Sequence, residues 1–225
     1  MIDPRYVAVV IPARDEQDTI GDLVVRARKY ARWVVVADDS STDGTYCRAV
    51  AAGANIISVP TSRVGMVDVY RAGLRYAFHH TPARVFIEMD AGGSHDPDEI
   101  PRLLKPMARS SVTLAVGCRF MPGGAYHGSL RRKLLSWGGT QAVNALHGTD
   151  WRDATSGFIG YSRAILDQLL GCHYRSTGHF YQTETRIKAR DMGFHVVEVP
   201  ITYRNSSTSL NAASIREAIR LVREL

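Results

Sequence analysis

Two hydrophobic periods alternate along the first half of the chain: short β-branched runs, as in strands, and segments with apolar residues three and four apart, as in helices. Residues 7–11 form a run closed by Pro12, and 15–31 place Ile20, Leu23, Val24 and Ala27 on one helical face. A second run covers 33–37, followed by a polar loop over 38–44 and a helix over 45–52 that Gly53 ends. A third strand over 55–59 precedes a helix over 64–79. A fourth over 85–89 precedes a helix that starts after Pro97, where proline suits the first turn. This alternation predicts an α/β fold in a single domain, a Rossmann-like, mostly parallel sheet with helices on both faces.

Beyond a strand at 112–116 the pattern loosens. It runs through Gly123-Gly124, a basic helix over 130–146, a turn-rich stretch over 151–160, a helix over 180–192, a strand over 196–199 and an amphipathic helix over 212–225.

Ligands of parallel sheets gather beyond the carboxyl ends of the strands, and three predicted strand ends carry carboxylates. In Val9-Val10-Ile11-Pro12-Ala13-Arg14-Asp15-Glu16, Glu16 is placed either to cap the next helix or to face a nucleotide. In Val36-Ala37-Asp38-Asp39-Ser40, an acidic side chain can accept a hydrogen bond from a base imide or a ribose hydroxyl, or cap the helix that follows. In Val85-Phe86-Ile87-Glu88-Met89-Asp90-Ala91-Gly92-Gly93-Ser94-His95-Asp96-Pro97, alternation puts Glu88 and Asp90 on one face. There Asp90 is suited to a metal or a sugar, or simply to a helix N-cap beside turning glycines.

Composition narrows the classes. With 225 residues and 45% hydrophobic content the chain can bury a sizeable core. No apolar run approaches the roughly 20 residues of a membrane span, and the amino terminus lacks a signal-peptide pattern, so a soluble, cytoplasmic chain is expected. Cys47, Cys118 and Cys172 lack metal or disulfide spacing and read as free thiols. The net charge is +6, and the cations are mostly arginine, with lysine only at Lys29, Lys105, Lys133 and Lys188. Arginine forks suit phosphates, so phosphorylated ligands or anionic head groups are the expected partners. Nucleic acid is not, since no recognition motif accompanies the scattered arginines. The absence of GxGxxG after the first strand ranks a dinucleotide oxidoreductase last.

The three strand-end segments together resemble the family 2 glycosyltransferases of the GT-A fold, especially the dolichol-phosphate mannose synthase branch. The likeness continues in Gly117-Cys118-Arg119-Phe120 with Gly123-Gly124, in Asp153-Ala154-Thr155-Ser156-Gly157-Phe158, and in Glu184 followed by Glu198-Val199-Pro200-Ile201. The resemblance implies inverting transfer of a sugar from a GDP- or UDP-linked donor to a polyprenyl or dolichyl phosphate, by a chain in peripheral contact with the cytoplasmic membrane face. It implies a donor half over 1–120, with Pro12, Arg14, Glu16, Asp38, Asp39, Asp90 and Ala91 at the nucleotide sugar. It implies an acceptor half over 121–225, with Ser156, Gly157, Glu184 and Arg132 at the acceptor. The candidate catalytic residues are Asp90, Asp153, Arg119 and Arg131, the arginines as phosphate contacts; the alternative for Arg131 and Arg132 is a solvated helix face.

Three departures from the family pattern stand out. The metal motif, usually Asp-x-Asp, reads Asp90-Ala91-Gly92, so the expected Mg2+ or Mn2+ has Asp90 as its one motif carboxylate, with Ser94, His95 or Asp96 as candidate replacements. His95 serves equally as a turn-stabilising residue. Arg63-Val64-Gly65-Met66-Val67 replaces a glycine-richer turn, and Ile159 stands where an arginine is common. A phosphate acceptor is already ionised and needs no base, whereas a hydroxyl acceptor, on a glycan or small metabolite, does. Asp153 is the candidate base, with holding the 155–157 turn as its alternative; Glu184 is similarly ambiguous. Loss of the second carboxylate leaves a catalytically silent nucleotide-sugar binder as a further alternative. The basic 204–225 segment suits an anionic membrane surface or packing on the core.

Overall fold

The structure is a computed structural model that describes residues 2–59, 66–109, 111–204, 216–217, 219–221 and 224. Seven strands form the main sheet: β1 (Val7–Ala13), β2 (Trp33–Asp38), β3 (Asn55–Ser58), β4 (Val85–Glu88), β5 (Leu114–Cys118), β7 (Ile159–Ser162) and β8 (Val196–Pro200). Their spatial order is β3-β2-β1-β4-β7-β5-β8. All neighbouring pairs are parallel except those made by β7, which runs antiparallel to β4 and β5. Two further strands, β6 (Ala125–His127) and β9 (Thr202–Arg204), pair in a small parallel sheet.

Side-chain alternation along β1 divides the apolar core in two. Val7, Val9 and Ile11 pack with α1 (Ile20–Ala27), α2 (Thr45–Ala51) and α4 (Ile100–Met107). Ala8 and Val10 face the opposite layer, with α3 (Met66–His80), α6 (Arg163–Gly171) and Ala189 of α7 (Tyr181–Asp191). Because both faces are covered, the inner strands are apolar almost throughout, as the short runs in the sequence required.

Residues 1–120 follow their predicted elements to within a few residues, apart from the shorter α1. That helix begins only at Ile20, because residues 14–19 are spent on a loop in which Asp15 adopts a left-handed conformation (φ 52°). A 3-10 turn, Pro97–Glu99, leads into α4. Residues 121–225 depart further. Helix α5 (Leu130–His147), α7 and β8 lie where expected, but β6, β7, α6 and β9 are additions, and β7 starts inside the stretch expected to be turns. Residues 63–65 and most of the terminal helix expected over 212–225 lie outside the described residues.

The fold also buries charge. Arg119 meets Asp153 through Nε and Nη2, at 2.6 Å to each carboxylate oxygen, and Arg186 meets Glu198 at 2.9 Å. Arg186 is 1% exposed and stacks on Trp151 at 4.0 Å. Desolvation of such ions is repaid only while both partners stay in place.

Candidate active site

Two loops at the carboxyl ends of β1 and β2 are welded by polar side chains. The Thr42 and Gln17 N–H groups donate to Asp15 Oδ1 (2.8 Å) and Asp43 Oδ2 (3.2 Å), and the Glu16 N–H donates to Thr45 Oγ1 (2.7 Å). Asp43, just before Gly44 at the start of α2, also accepts from the Thr45 N–H at 2.9 Å. Asp15 and Ser40 (φ 53°) both sit in the left-handed region, a cost that the cross-links hold in place. At the end of β2, Asp38 and Asp39 each keep an Oδ1 buried without a hydrogen-bond partner among the described residues. Unpaired buried acceptors of this kind suit the imide and hydroxyl donors of a nucleoside. Arg14 lies exposed beside Asp39, at 3.5 Å.

Beyond β4 the chain turns sharply, with Gly93 at φ 74°, where a side chain is strained. The Ala91 carbonyl accepts from Thr19 Oγ1 (2.7 Å), and the Asp90 N–H donates to His95 Nδ1 (3.3 Å). His95 is buried and stacked on Phe158 at 5.0 Å; burial pushes its imidazole pKa down, so the ring is neutral with Nδ1 as an acceptor. The Nδ1 lone pair thus holds the turn, the alternative role expected for this residue. Asp96 is likewise engaged, by Arg26 and Arg204. Asp90 itself stays 32% exposed.

A cleft of about 560 Å3 opens over these turns. Pro12, Glu16, Asp90, Ala91, Gly92 and His95 form its donor-side floor. Burial, and beyond it the nearby charge of Asp90, push the Glu16 carboxyl pKa up. Across the cleft stand Arg119, Arg132, Thr155, Gly157, His179 and Gln182, while Leu134, Leu135, Val143 and Phe180 make a largely apolar wall. Among the described residues no group of three His, Cys, Asp or Glu side chains converges to hold an ion. The partly exposed Asp90 carboxylate, in a cleft that also holds Glu16 and has room for a substrate phosphate, still fits a magnesium or manganese ion that takes its other ligands from substrate phosphate and water.

Below this floor, Glu88 is fully buried, receives the Tyr161 hydroxyl at 3.0 Å, and has its pKa raised to about 8 by burial. It therefore carries a proton at neutral pH and adds no charge to the site.

Several expected site residues have other tasks. Asp153 is fully buried and bound to the Arg119 guanidinium and to the Arg119 and Thr155 N–H groups, so no oxygen is left to act as a base; holding the turn is its role. Glu184, also fully buried, accepts from the Arg175 and Ser176 N–H groups and the Ser176 hydroxyl. It anchors the loop before α7 and does not line the cleft. Ser156 is buried beside the cleft wall with its Oγ unpaired among the described residues. Arg131 is exposed on α5 and outside the cleft. Arg119 does line it, but Nε and Nη2 are held by Asp153 and Thr155, so it is a fixed cation with Nη1 outside that grip.

Tyr70, Tyr126, His179, Gln182 and Tyr203 are cleft residues that the sequence did not single out. Tyr126 and Tyr203 lie on β6 and β9, whose three-residue lengths leave no hydropathy signal.

Comparison with known proteins agrees with this arrangement. Residues 8–170 match the sequence profile of Glycosyl transferase family 2. The chain is 33% identical to the polyprenol monophosphomannose synthase of Mycolicibacterium smegmatis, over 96% of this chain and 85% of that protein. It is 32% identical to the undecaprenyl-phosphate mannosyltransferase of Micrococcus luteus, over 88% and 83% of the two chains. Among solved structures, glucosyl-3-phosphoglycerate synthase from Mycobacterium tuberculosis, in complex with uridine diphosphate, superposes with a TM-score of 0.76 at 21% identity, covering 98% of this chain and 79% of that one. The same enzyme in complex with Mn2+, uridine diphosphate and glucosyl-3-phosphoglycerate gives 0.73 at 22% identity, covering 96% and 77%. These likenesses identify the sheet and its helices as a GT-A fold.

Proposed function

Because the chain belongs to glycosyl transferase family 2, as a dolichol-phosphate mannose synthase-like glycosyltransferase, we propose that it moves a mannosyl group from a nucleoside diphosphate sugar to a polyprenyl phosphate, with inversion. The observation that carries this acceptor is the fate of the two candidate bases. Asp153 and Glu184 are fully buried and committed to structural hydrogen bonds, and among the described residues Glu16 and Asp90 are the carboxylates that line the cleft, both on its donor floor. A hydroxyl acceptor would need a base on the opposite wall, whereas a phosphate oxygen is ionised already.

In this reading the base and ribose lie over the loops of β1 and β2, giving donors to the unpaired oxygens of Asp38 and Asp39. Asp90 is the residue that would hold a divalent cation, which supplies charge neutralisation at the departing diphosphate. Arg119 and Arg132 present fixed positive charge to the phosphates. The acceptor oxygen attacks the anomeric carbon as the bond to the nucleoside diphosphate breaks, and the bonding pair leaves with the diphosphate. The apolar wall accommodates the first isoprene units.

Titration calorimetry with UDP and GDP, each with and without Mn2+, tests the donor half. Binding of one nucleotide, strengthened by Mn2+ and weakened at least tenfold by Asp90→Asn, is expected. The acceptor half is tested by incubating mannosyl donors with a short-chain, water-soluble polyprenyl phosphate and with the corresponding alcohol. Product from the phosphate alone is expected, and product from the alcohol alone would overturn the assignment.

A further inference from the structure

Arg119 stands among three aromatic rings. Its guanidinium carbon lies 5.2 Å from the centre of the Phe120 ring, 5.2 Å from that of Tyr203 and 5.7 Å from that of Tyr126, all within cation–π range. The two tyrosines come from the small sheet: β6 and β9 pair Tyr126 with Tyr203 in register, and their rings stack at 5.3 Å with 10° between the planes. Gly128 makes room for that stack, because a Cβ there would come within 2.7 to 2.8 Å of Cε1, Cζ and Oη of Tyr126. Asp153 and Thr155 hold one edge of the same guanidinium through Nε and Nη2, which leaves Nη1 outside their grip. Asp153 also offsets the charge of Arg119 at a distance. What this arginine offers an anion in the cleft is therefore short-ranged and depends on where Nη1 points.

We infer that Tyr126 and Tyr203 are positioning residues that close on Arg119 and aim its Nη1 at the phosphate of the acceptor. This rests on the polyprenyl phosphate reading above for its ligand. The rings keep water from the guanidinium, so the contact left to it is made in less polar surroundings, where a hydrogen bond to a phosphate oxygen is stronger. Tyr203 has a second neighbour, the His95 ring at 5.9 Å, and His95 receives the Asp90 N–H on the donor floor. Substitution of Tyr203 would disturb both walls of the cleft, so the half-buried Tyr126 is the position at which the acceptor side is tested by itself.

The full chain is titrated calorimetrically with a short-chain, water-soluble polyprenyl phosphate, with the corresponding alcohol and, separately, with UDP and GDP in the presence of Mn2+. Tyr126→Leu is expected to weaken the polyprenyl phosphate about tenfold, while Tyr126→Phe, which keeps the ring, stays within about twofold of the wild type. Gly128→Ala, which pushes the ring aside from a position that does not line the cleft, should copy Tyr126→Leu. All three variants keep the wild-type nucleotide affinity, which also shows that they are folded. Unchanged phosphate affinity in Tyr126→Leu, or a loss in Tyr126→Phe as large as in Tyr126→Leu, would overturn the inference. So would a loss shared equally by the alcohol or by the nucleotide, or a wild type that binds no polyprenyl phosphate. Ring-dependent binding by a wild type that transfers no sugar to this acceptor would uphold the positioning and remove the proposed reaction instead.

Discussion

Helix α7 has the composition of a surface helix and lies inside the protein; α5 carries leucines and a tryptophan and leaves them outside. Eight of the 11 residues of α7 are buried, among them Gln182, Thr183, Glu184, Thr185 and Arg186, whereas two of the 18 in α5 are. Three of these polar side chains have specified partners: Thr183 Oγ1 donates to the Ala154 carbonyl, Arg186 to the Asp153 carbonyl and Glu198 through its two Nη atoms, and Glu184 accepts from the 175–176 backbone, while Arg186 Nε is left without a partner among the described residues. Residue type thus indicates burial only where the interior is apolar. In the acceptor half polar side chains build the interior, and apolar ones are available for contact with something else.

The comparison breaks most sharply at Arg186. Arg186→Ala takes the paired cation from Glu198, which keeps the Arg152 and Asp153 N–H donors, and leaves the Asp153 carbonyl without the donor it has here, and should cost about 3–5 kcal/mol in urea unfolding; a loss under 1 kcal/mol would mean that α7 behaves as the surface helix its composition suggests.

Glu88, beneath Tyr161, sharpens the buried side through pH. Its folded-state pKa of about 8 lies above its unfolded value near 4.5, so across that interval the native state holds a proton that the unfolded chain has released. Stability should therefore fall as pH rises from about 4.5 to about 8, by a few kcal/mol in all, and Glu88→Gln should flatten that slope. Glu184→Gln keeps the shape but weakens three hydrogen bonds to a carboxylate, for an expected loss of about 1.5–3 kcal/mol. The smallest effect belongs to α5: Leu130→Gln should change unfolding free energy by less than about 0.5 kcal/mol, although a leucine is removed.

The same contrast explains what was legible in the sequence. β1, β2, β4 and their helices follow from apolar runs and helical spacing because their environment is apolar on both faces. The donor-side candidates Pro12, Glu16, Asp90 and Ala91 line the cleft because strand ends fix where loops emerge. Strand β7 was hidden: four residues, Ile-Gly-Tyr-Ser, follow a polar turn and resemble its continuation. Helix α6 does carry a signal, Ile165, Leu166 and Leu169 at helical spacing, that the turn-rich flanks obscured. Asp153 looked catalytic because its motif puts a carboxylate before a glycine turn, and nothing in the local sequence announces that Arg119, 34 positions earlier, takes up both of its oxygens. Pairing of that kind belongs to the tertiary structure alone.

The reversed strand also bears on how the chain assembles. β4 pairs with β1 on one side, but β5, the next strand to be synthesised, is not its other neighbour. That edge, with Phe86 and Ile87 along it, stays open until β7 arrives and sets Glu88 opposite Ile159. An open, apolar β-edge invites pairing with another chain, so β7 covers an edge that residues 1–120 by themselves would expose. The strand that shields it is also the one whose preceding loop carries Thr155 and Gly157 to the cleft. Cover for that edge and completion of the cleft wall therefore depend on one segment, and a mutation that dislodges β7 should lower soluble yield as well as activity.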